Sequence, residues 1–322
     1  MNVLNNLPLN EKIESVPEHV GRAALRIEDA SILIGRGQYG DDAAVKPGTL
    51  HAAVLRSPHA HARLVGVDTE AASALPGVRA VLTGEDIRAW SRPFVVGVKE
   101  KMEHWSLAID KVRYVGEPVA VVVAESRYIA EDGVDLLVAT YETLAVAVEI
   151  EQAMADDAVI LHEGVGSNVV SDRHFSYGDP EAAFTQAEHK IGMTVRYPRN
   201  SCTPIEGGVV IAEFLSAEEG YDVSSNFMGP YSLHTVMALA LQVPGTQLRH
   251  RNFRDSGGSF GVKQAVFPYV VLMCLASRKA GAPVKWVEDR LEHLTAATSA
   301  TRKNHRAVLR SNGRLRWLSA CA

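Results

Sequence analysis

The sequence predicts an α+β fold rather than a regular parallel sheet, because short strand and helix patterns alternate irregularly and are joined by tight turns. The 322 residues are 47% hydrophobic and 22% charged, which is enough apolar material for more than one core. The pattern weakens at 146–170, where an acidic run precedes a loop containing glycine. We therefore expect two domains joined by a linker in that interval.

The first part begins with a polar lead-in over residues 1–18 that has no clear periodicity. Runs of apolar and β-branched residues then predict strands, and amphipathic runs bounded by turn residues predict helices. The strands are expected at 50–56, 78–82, 119–124 and from 140, and the helices at 69–75 and 126–138.

Two histidines follow the first predicted strand, at positions 59 and 61. If that strand continued, His59 and His61 would point to the same face and could supply two ligands to a metal ion. No third ligand is close in sequence, so we favour a structural role for both. Glu117 lies in a Gly-Glu-Pro turn before an apolar strand, and we expect no catalytic role for it either.

The second part starts with a capped helix, in which Asp179 is the N-cap and Pro180 takes the first helical position. Strands are predicted at 190–197 and 209–214, and a helix at 233–241.

A glycine-rich loop at 255–264 is the feature around which the second part is organised. Three glycines within 257–261 allow backbone conformations with φ > 0 and leave consecutive N–H groups free to form a concave anion site. An apolar helix is predicted from Ala265 to Ala280, with Pro268 in its first turn and an end at Gly281. Taken alone, the glycines are equally compatible with a ligand-binding loop and with a plain turn.

Two common phosphate-binding motifs do not match this loop. A Walker loop requires Ser or Thr after its lysine, but Gln264 follows Lys263. A dinucleotide fingerprint has the spacing G-x-G-x-x-G, whereas the spacing here is G-G-x-x-G.

Composition excludes several classes of protein. A net charge of −5 and a pI near 6.2 do not favour nucleic-acid binding. Because no apolar run reaches membrane-spanning length and no signal peptide is evident, we expect a cytoplasmic protein without membrane contact. Cys202, Cys274 and Cys321 are too far apart in sequence to form a self-contained iron–sulfur or zinc site.

The loop and the segments around it resemble the molybdenum-binding large subunit of the xanthine dehydrogenase, aldehyde oxidase and carbon monoxide dehydrogenase family. The residues that carry this resemblance are Gly257-Gly258-Ser259-Phe260-Gly261-Val262-Lys263, the apolar helix, and Glu288-Asp289-Arg290-Leu291-Glu292. The first part is similar to the hammerhead domain of the same family through Arg56-Ser57-Pro58-His59-Ala60-His61, Leu75-Pro76-Gly77-Val78 and Tyr114-Val115-Gly116-Glu117-Pro118.

The resemblance implies domain bounds. The hammerhead domain would cover 19–145, the linker 146–170, and an incomplete N-terminal part of the molybdopterin-binding domain 171–322.

It also implies cofactor-binding positions at Gly257, Gly258, Ser259, Phe260, Gly261 and Met228, with Glu206 and Gln264 on the substrate side or in a structural role near the site. Three of these positions depart from the family pattern: Met228, Gln264 and, through a milder change, Ser259, which takes the place of the middle glycine. Family members usually place Gln where Met228 stands, and the amide of that Gln can donate a hydrogen bond at the metal, which a thioether cannot. Gln264 stands where purine-oxidising relatives have a Glu, so xanthine is not the expected substrate. Glu206 is expected near the site, and we favour a role in holding two loops together over proton transfer.

By resemblance, the activity is that of a molybdenum-dependent hydroxylase that oxidises an aldehyde or N-heterocycle with water as the oxygen source. Its cofactors would be molybdenum–molybdopterin on this subunit, held in a partial site, and 2Fe-2S and FAD on partner subunits. The implied partners are an iron–sulfur small subunit, an FAD medium subunit and a small-molecule substrate, and a homodimer of heterotrimers would be compatible with this.

No residue matches the family's C-terminal Gly-x-Gly-Glu segment, so no catalytic base is assigned and the expected base lies beyond residue 322. The sequence therefore also allows a truncated, inactive fragment, a non-catalytic scaffold or an anion-binding module. We further expect the helix at 265–280 to expose apolar surface, because the strands that would cover it are absent from the predicted elements.

Overall fold

The computed structural model describes residues 25–95, 102–172, 175, 177–197, 201–296, 303–311, 315–316 and 319–321, of which 192–197 and 303–321 are described by their backbone alone. The predicted lead-in at 1–18 lies outside these ranges. Contacts divide the chain into two units, one ending at Gln38 and the other beginning at Tyr39. In the described ranges of the first unit there is one short helix, α1 (Asp29–Ile32).

The second unit mixes strands and helices, as the sequence predicts. The strands before residue 150 are β1 (Leu50–Arg56), β2 (Ala62–Asp68), β3 (Val78–Leu82), β4 (Lys111–Val112), β5 (Pro118–Ala124) and β6 (Val138–Thr143). The later strands are β7 (His189–Tyr197), β8 (Val209–Leu215), β9 (Gly220–Ser225), β10 (Leu248–Asn252), β11 (Val284–Val287), β12 (Lys303–Ser311), β13 (Leu315–Arg316) and β14 (Ser319–Cys321).

The helices of this unit are short, apart from α8. They are α2 (Glu70–Ala74), α3 (Gly84–Trp90), α4 (Arg127–Asp135), α5 (Ile150–Ala153), α6 (Pro180–Thr185), α7 (His234–Ala240), α8 (Phe267–Ala280) and α9 (Arg290–Ala296), with 3₁₀ turns at Gly245–Gln247 and Val262–Val266. Within the described ranges, no helix is long and apolar enough to cross a membrane.

The largest sheet has seven strands in the order β10-β9-β8-β11-β1-β5-β3. Strand β1 lies at the junction, parallel to β11 and antiparallel to β5. Strands from before and after the predicted linker thus share one sheet, and the sheet is mixed rather than parallel throughout, which confirms the predicted α+β class. The division into two domains stays a prediction.

Two smaller sheets complete the unit. One has the order β4-β2-β6, and in the other β12 pairs with β7, β13 and β14. Strands β12 and β13 are antiparallel, with Arg310 opposite Arg316 and Ser311 opposite Leu315. An Asn-Gly pair, which is typical of hairpin turns, lies between these two strands at 312–313, outside the described residues.

Helix α8 is the centre of the main hydrophobic core. Every residue from Val270 to Ser277 is buried, and the helix packs against β8, β11 and β3. Its bounds follow from sequence rules, because Pro268 lies in the first turn and Gly281 ends the helix with φ of +66°. The expectation of an exposed apolar helix is wrong, since strands within this chain cover it.

The two histidines do not lie on a continuous strand, which is the geometry that the metal hypothesis required. Strand β1 ends at Arg56, and the Oγ of Ser57 both accepts from the N–H of His59 and donates to its carbonyl, at 3.0 Å in each case. This local turn replaces strand geometry, as serine side chains commonly do. His61 is buried, and its Nδ1 lies 2.6 Å from the carbonyl oxygen of Ala145. Helix α3 is not among the predicted helices.

Candidate functional site

The glycine loop has the backbone conformation that its residue types predict. Gly258 and Gly261 have φ values of +96° and +93°. Phe260 also has positive φ, +49°, which a residue with a Cβ adopts only at a local energetic cost. The loop continues without a break into the 3₁₀ turn Val262–Val266 and then into α8.

This conformation leaves a row of backbone donors available. Among the residues that the structure describes, the N–H groups of Gly258, Ser259, Phe260 and Gly261 have no hydrogen-bond acceptor. Successive N–H groups in such a turn form a concave site that attracts anions. The loop therefore presents backbone donors of the kind that bind anionic groups.

Glu206 connects this loop to two other segments. Its Oε2 accepts a hydrogen bond from the N–H of Gly257 at 2.9 Å, and its Oε1 accepts from the N–H of Gly40 at 2.9 Å. The N–H of Glu206 in turn donates to the carbonyl of Gly257 at 3.3 Å. A Cβ at position 257 would lie 2.4 Å from the Cβ of Glu206, so this approach requires glycine.

The charged partner of Glu206 is Lys263, whose ammonium group forms an ion pair with Oε2. The side chains of Lys263 and Glu206 are 1% and 11% exposed, so the pair is almost removed from solvent. Burial by itself would raise the pKa of Glu206, but the hydrogen bonds from Lys263 and from the two backbone N–H groups outweigh it and lower that pKa. Glu206 is therefore a carboxylate at neutral pH, with the contacts of a residue that holds loops together.

The position at which the sequence departs from the family pattern lies beside the loop. The Oγ of Ser259 donates to the sulfur of Met228 at 3.1 Å, and the N–H of Met228 donates to the carbonyl of Lys263 at 3.3 Å. Met228 is about half exposed, at 48%. Met228 and Ser259 thus contact each other directly.

A cavity of about 160 Å³ opens between the loop and the segment that carries Met228. Its lining is mainly polar, which suits an anionic or strongly hydrogen-bonding ligand. The lining residues are Asn226, Phe227, Met228, Asn252, Phe253, Asp255, Ser256, Ser259 and Lys263.

The remaining predicted site residues lie on the outer side of the loop. Phe260 is 76% exposed, and Gln264 is exposed on the 3₁₀ turn, with its N–H donating to the carbonyl of Gly261 at 3.2 Å. The structure therefore brings Gly257, Ser259, Met228 and Glu206 into one cluster and leaves Phe260 and Gln264 facing outward.

The turn that carries Glu206 is itself held by the segment at 288–290. The Oε2 of Glu288 accepts from the N–H of Gly208 at 2.7 Å, and the N–H of Glu288 donates to the carbonyl of Gly208 at 2.8 Å. The guanidinium of Arg290 donates to the carbonyls of Pro204 and Ile205, at 2.8 Å each. These contacts fix the turn without any group from outside the chain.

Sequence reasoning did not identify Lys263, Glu288 and Arg290 as residues that support the site. A signal existed, because all three belong to the motifs quoted for the family resemblance. The motifs predicted the position of the glycine loop, but they did not predict that its lysine would be buried against Glu206. Among the described residues, no group of three or more His, Cys, Asp or Glu side chains could hold a metal ion.

Comparisons with protein families agree with this geometry. Residues 34–145 match the model described as the aldehyde oxidase and xanthine dehydrogenase a/b hammerhead domain, and residues 161–319 match the molybdopterin cofactor-binding domain. The chain belongs to the family of molybdenum-binding large subunits that includes xanthine dehydrogenase, aldehyde oxidase and carbon monoxide dehydrogenase. Its fold is a hammerhead domain followed by residues of the cofactor-binding domain.

Individual relatives support the same family. The chain is 36% identical over 301 residues to the 6-hydroxypseudooxynicotine dehydrogenase complex subunit gamma of Paenarthrobacter nicotinovorans, covering 90% of this chain and 37% of that protein. It is 38% identical over 286 residues to the nicotine 6-hydroxylase large subunit of the same organism, covering 87% and 35%.

A solved structure gives the same result at the level of the fold. Quinoline 2-oxidoreductase from Pseudomonas putida 86 superimposes with a TM-score of 0.82 at 34% identity, covering 92% of this chain and 38% of that chain. The chain thus spans a little over a third of the length of the relatives that it matches.

Proposed function

We propose that this chain is part of the molybdenum-binding subunit of a hydroxylase-type oxidoreductase, and that the loop at 257–261 holds the anionic part of a molybdopterin cofactor. One observation carries the proposal. Four consecutive N–H groups, from Gly258 to Gly261, have no acceptor within the described residues, and they lie in the segment that matches the cofactor-binding model.

The residues present fit one side of such a group. The loop supplies backbone donors, and the 160 Å³ cavity supplies polar side chains. A large anionic cofactor also needs contacts on its other sides, to offset the cost of desolvation and ordering. The proposed site on this chain is therefore partial, and we expect the 322 residues alone to bind no cofactor tightly and to oxidise nothing.

The cofactor, when bound, would supply the redox chemistry of a hydroxylation in which water provides the oxygen. The residues of this chain would orient it: the loop N–H groups would bind its anionic edge, and Glu206 and Lys263 would keep those N–H groups in place. No residue of this chain is assigned a proton-transfer role. We also propose that the protein is cytoplasmic, and that its two domains are joined by a linker at 146–170.

The substrate class and partners are proposed from the relatives. Two of them are named for nicotine or a nicotine derivative and one for quinoline, which supports an N-heterocycle, with an aldehyde as the alternative. The wording "complex subunit" in one of those names supports an assembly with separate subunits. We propose an iron–sulfur small subunit and an FAD medium subunit as partners, as the family resemblance implies, and the words "large subunit" in the name of one relative support such a division.

The test is to produce the complete protein, with the subunits encoded beside it, in a host that makes the cofactor, and to produce the 322-residue chain in parallel. Molybdenum per polypeptide is measured by elemental analysis. Oxidation of nicotine, quinoline and a simple aldehyde is followed with an artificial electron acceptor. We expect near-stoichiometric molybdenum and heterocycle oxidation in the complete protein only. A folded complete protein without molybdenum would contradict the proposal, and inorganic phosphate binding at the loop would then favour an anion-binding module.

A further inference from the structure

The most deeply buried charge near the glycine loop is the ammonium group of Lys263, whose side chain is 1% exposed. A buried ion pair adds little net stability compared with apolar side chains of similar size, because both charges lose their hydration. Removing only one partner is strongly unfavourable, since the other charge is then left unpaired. The ion pair with Glu206 therefore contributes little net stability for the desolvation that it requires. Its contacts indicate a role other than stabilising the fold.

Lys263 contacts three segments around the glycine loop. Its ammonium group binds Glu206, its N–H donates to the Oγ of Ser259 at 3.3 Å, and its carbonyl accepts from the N–H of Met228 at 3.3 Å. Through Glu206 the contacts extend to the N–H of Gly257. One residue thus fixes the loop, the Met228 segment and the turn at 204–208 relative to one another.

Lys263 also lines two cavities. One is the 160 Å³ cavity, and the other is a cavity of about 20 Å³ that is lined by Glu206, Tyr269 and Trp286 among others. Because the carboxylate of Glu206 neutralises the ammonium group, the pair as a whole adds no net charge to either cavity. The contribution of Lys263 to the anion-binding side is therefore the geometry of the loop.

We propose that Lys263 is a positioning residue for the cofactor. Through its ion pair with Glu206 it holds the glycine loop at 257–261 in the conformation that binds the anionic group. The inference rests on the proposed function, since it assigns a role toward the cofactor that the loop would hold. It predicts that loss of the pair lowers cofactor retention and alters the surroundings of the metal, beyond any loss of stability.

The test uses the complete protein with its partner subunits and four variants: Lys263→Met, Glu206→Gln, the double variant, and Lys285→Met as a matched control. Lys285 is also buried and paired, with its ammonium group 2.7 Å from the carboxylate of Asp41, but it does not line the cavity at the loop. The measurements are melting temperature, molybdenum per polypeptide, the electron paramagnetic resonance spectrum of the partly reduced metal, and kcat and KM separately.

We expect Lys263→Met to lower molybdenum content or kcat by about 10- to 100-fold, the range typical for residues that orient the ligands of a metal site. The resonance spectrum of the metal that remains should change, while KM stays within about twofold. Lys285→Met should lower the melting temperature and leave molybdenum content and spectrum unchanged. The double variant should regain most of the melting temperature, because no buried charge is left unpaired, but it should regain neither metal content nor spectrum.

Several outcomes would overturn the inference. One is Lys263→Met with wild-type metal content and spectrum, and another is a double variant in which metal content recovers together with stability. If Lys263→Met does not fold, Glu206→Gln carries the same test, because it removes the charge but keeps an acceptor oxygen for a backbone N–H. A wild-type protein without molybdenum would instead overturn the proposed function, so the two failures are distinguishable.

Discussion

The guanidinium group of Arg56 lies 2.9 Å from the carboxylate of Glu292, although the two residues are 236 positions apart in sequence. The same guanidinium donates to the carbonyl of Gly116 at 3.1 Å and to the hydroxyl of Tyr269 at 2.8 Å. The side chains of Arg56 and Glu292 are 11% and 17% exposed. One buried side chain therefore joins the end of β1, the Gly-Glu-Pro turn, α8 and the beginning of α9.

Replacing Arg56 by Met should lower the free energy of unfolding by about 3–5 kcal/mol, because Glu292 would then be buried without its partner. Denaturant unfolding followed by circular dichroism measures the change. The matched control is Arg63→Met, which breaks an ion pair with Glu142 whose side chains are 63% and 64% exposed. That variant should lose at most about 1 kcal/mol. Equal losses in the two variants would contradict the role given to Arg56.

Gly257→Ala should destabilise the protein by about 1–3 kcal/mol, because the added methyl group would meet the Cβ of Glu206 at 2.4 Å and force the loop and the turn apart. Thermal unfolding gives the magnitude, and amide exchange at 257–261 shows whether the loop has moved. Gly164→Ala is the control, since a Cβ there has no neighbour within 4 Å. If the two variants are equally stable, the close contact at Gly257 does not constrain the loop.

Glu117→Gln should change how stability depends on pH. Burial raises the pKa of Glu117 from 4.5 to about 7, against the opposing effect of the Arg113 N–H. The fold thus favours the protonated form, so this contribution to stability is complete below pH 4.5 and is lost as the pH rises through 7. Gln is neutral throughout, and its stability relative to wild type should increase by about 2–3 kcal/mol between pH 4.5 and 8.

The experiment is denaturant unfolding at intervals of half a pH unit, with the difference between variant and wild type plotted against pH. Glu85→Gln, at an exposed position on α3, serves as the control, and its difference should be flat. A flat difference for Glu117→Gln as well would mean that this carboxyl is ionised freely in the fold.

Met228→Gln should raise molybdenum retention or activity of the complete protein, because an amide can donate a hydrogen bond toward the cofactor side and a thioether cannot. A hydrogen bond to a charged group contributes about 1.5–3 kcal/mol, which corresponds to roughly 10- to 100-fold in binding. Met228→Leu is the control for side-chain size, and it should give no increase. If Gln and Leu behave alike, position 228 does not have the role that the resemblance implies.

Features set by neighbouring residues could be predicted from the sequence. The side chain of Asp179 accepts from the N–H of Ala182 and Pro180 opens α6, as the capping rule requires. Helix α8 likewise ends at Gly281, where φ is positive. The positive φ values of Gly258 and Gly261 were predictable for the same reason, because glycines act on the backbone at their own position.

Features that depend on distant residues could not be predicted in this way. Nothing near Lys263 in sequence indicates that its ammonium group meets Glu206, and nothing near α8 indicates that β3 and β8 cover it. The turn at Ser57 was missed for a smaller reason, since a serine side chain that hydrogen-bonds to the backbone competes with a strand. Family motifs compensated in part, because they marked distant segments as belonging together.

The position of β1 between β5 and β11 has a consequence for the order in which the protein can fold. Strand β1 pairs Leu50 with Val284, so one of its edges has no partner until the ribosome has passed residue 284. Long-range parallel pairings of this kind form slowly, and an open strand edge can pair with another molecule in the meantime. Nascent chains shorter than about 290 residues should therefore depend on chaperones, and premature termination in that range should yield aggregates rather than a stable first half.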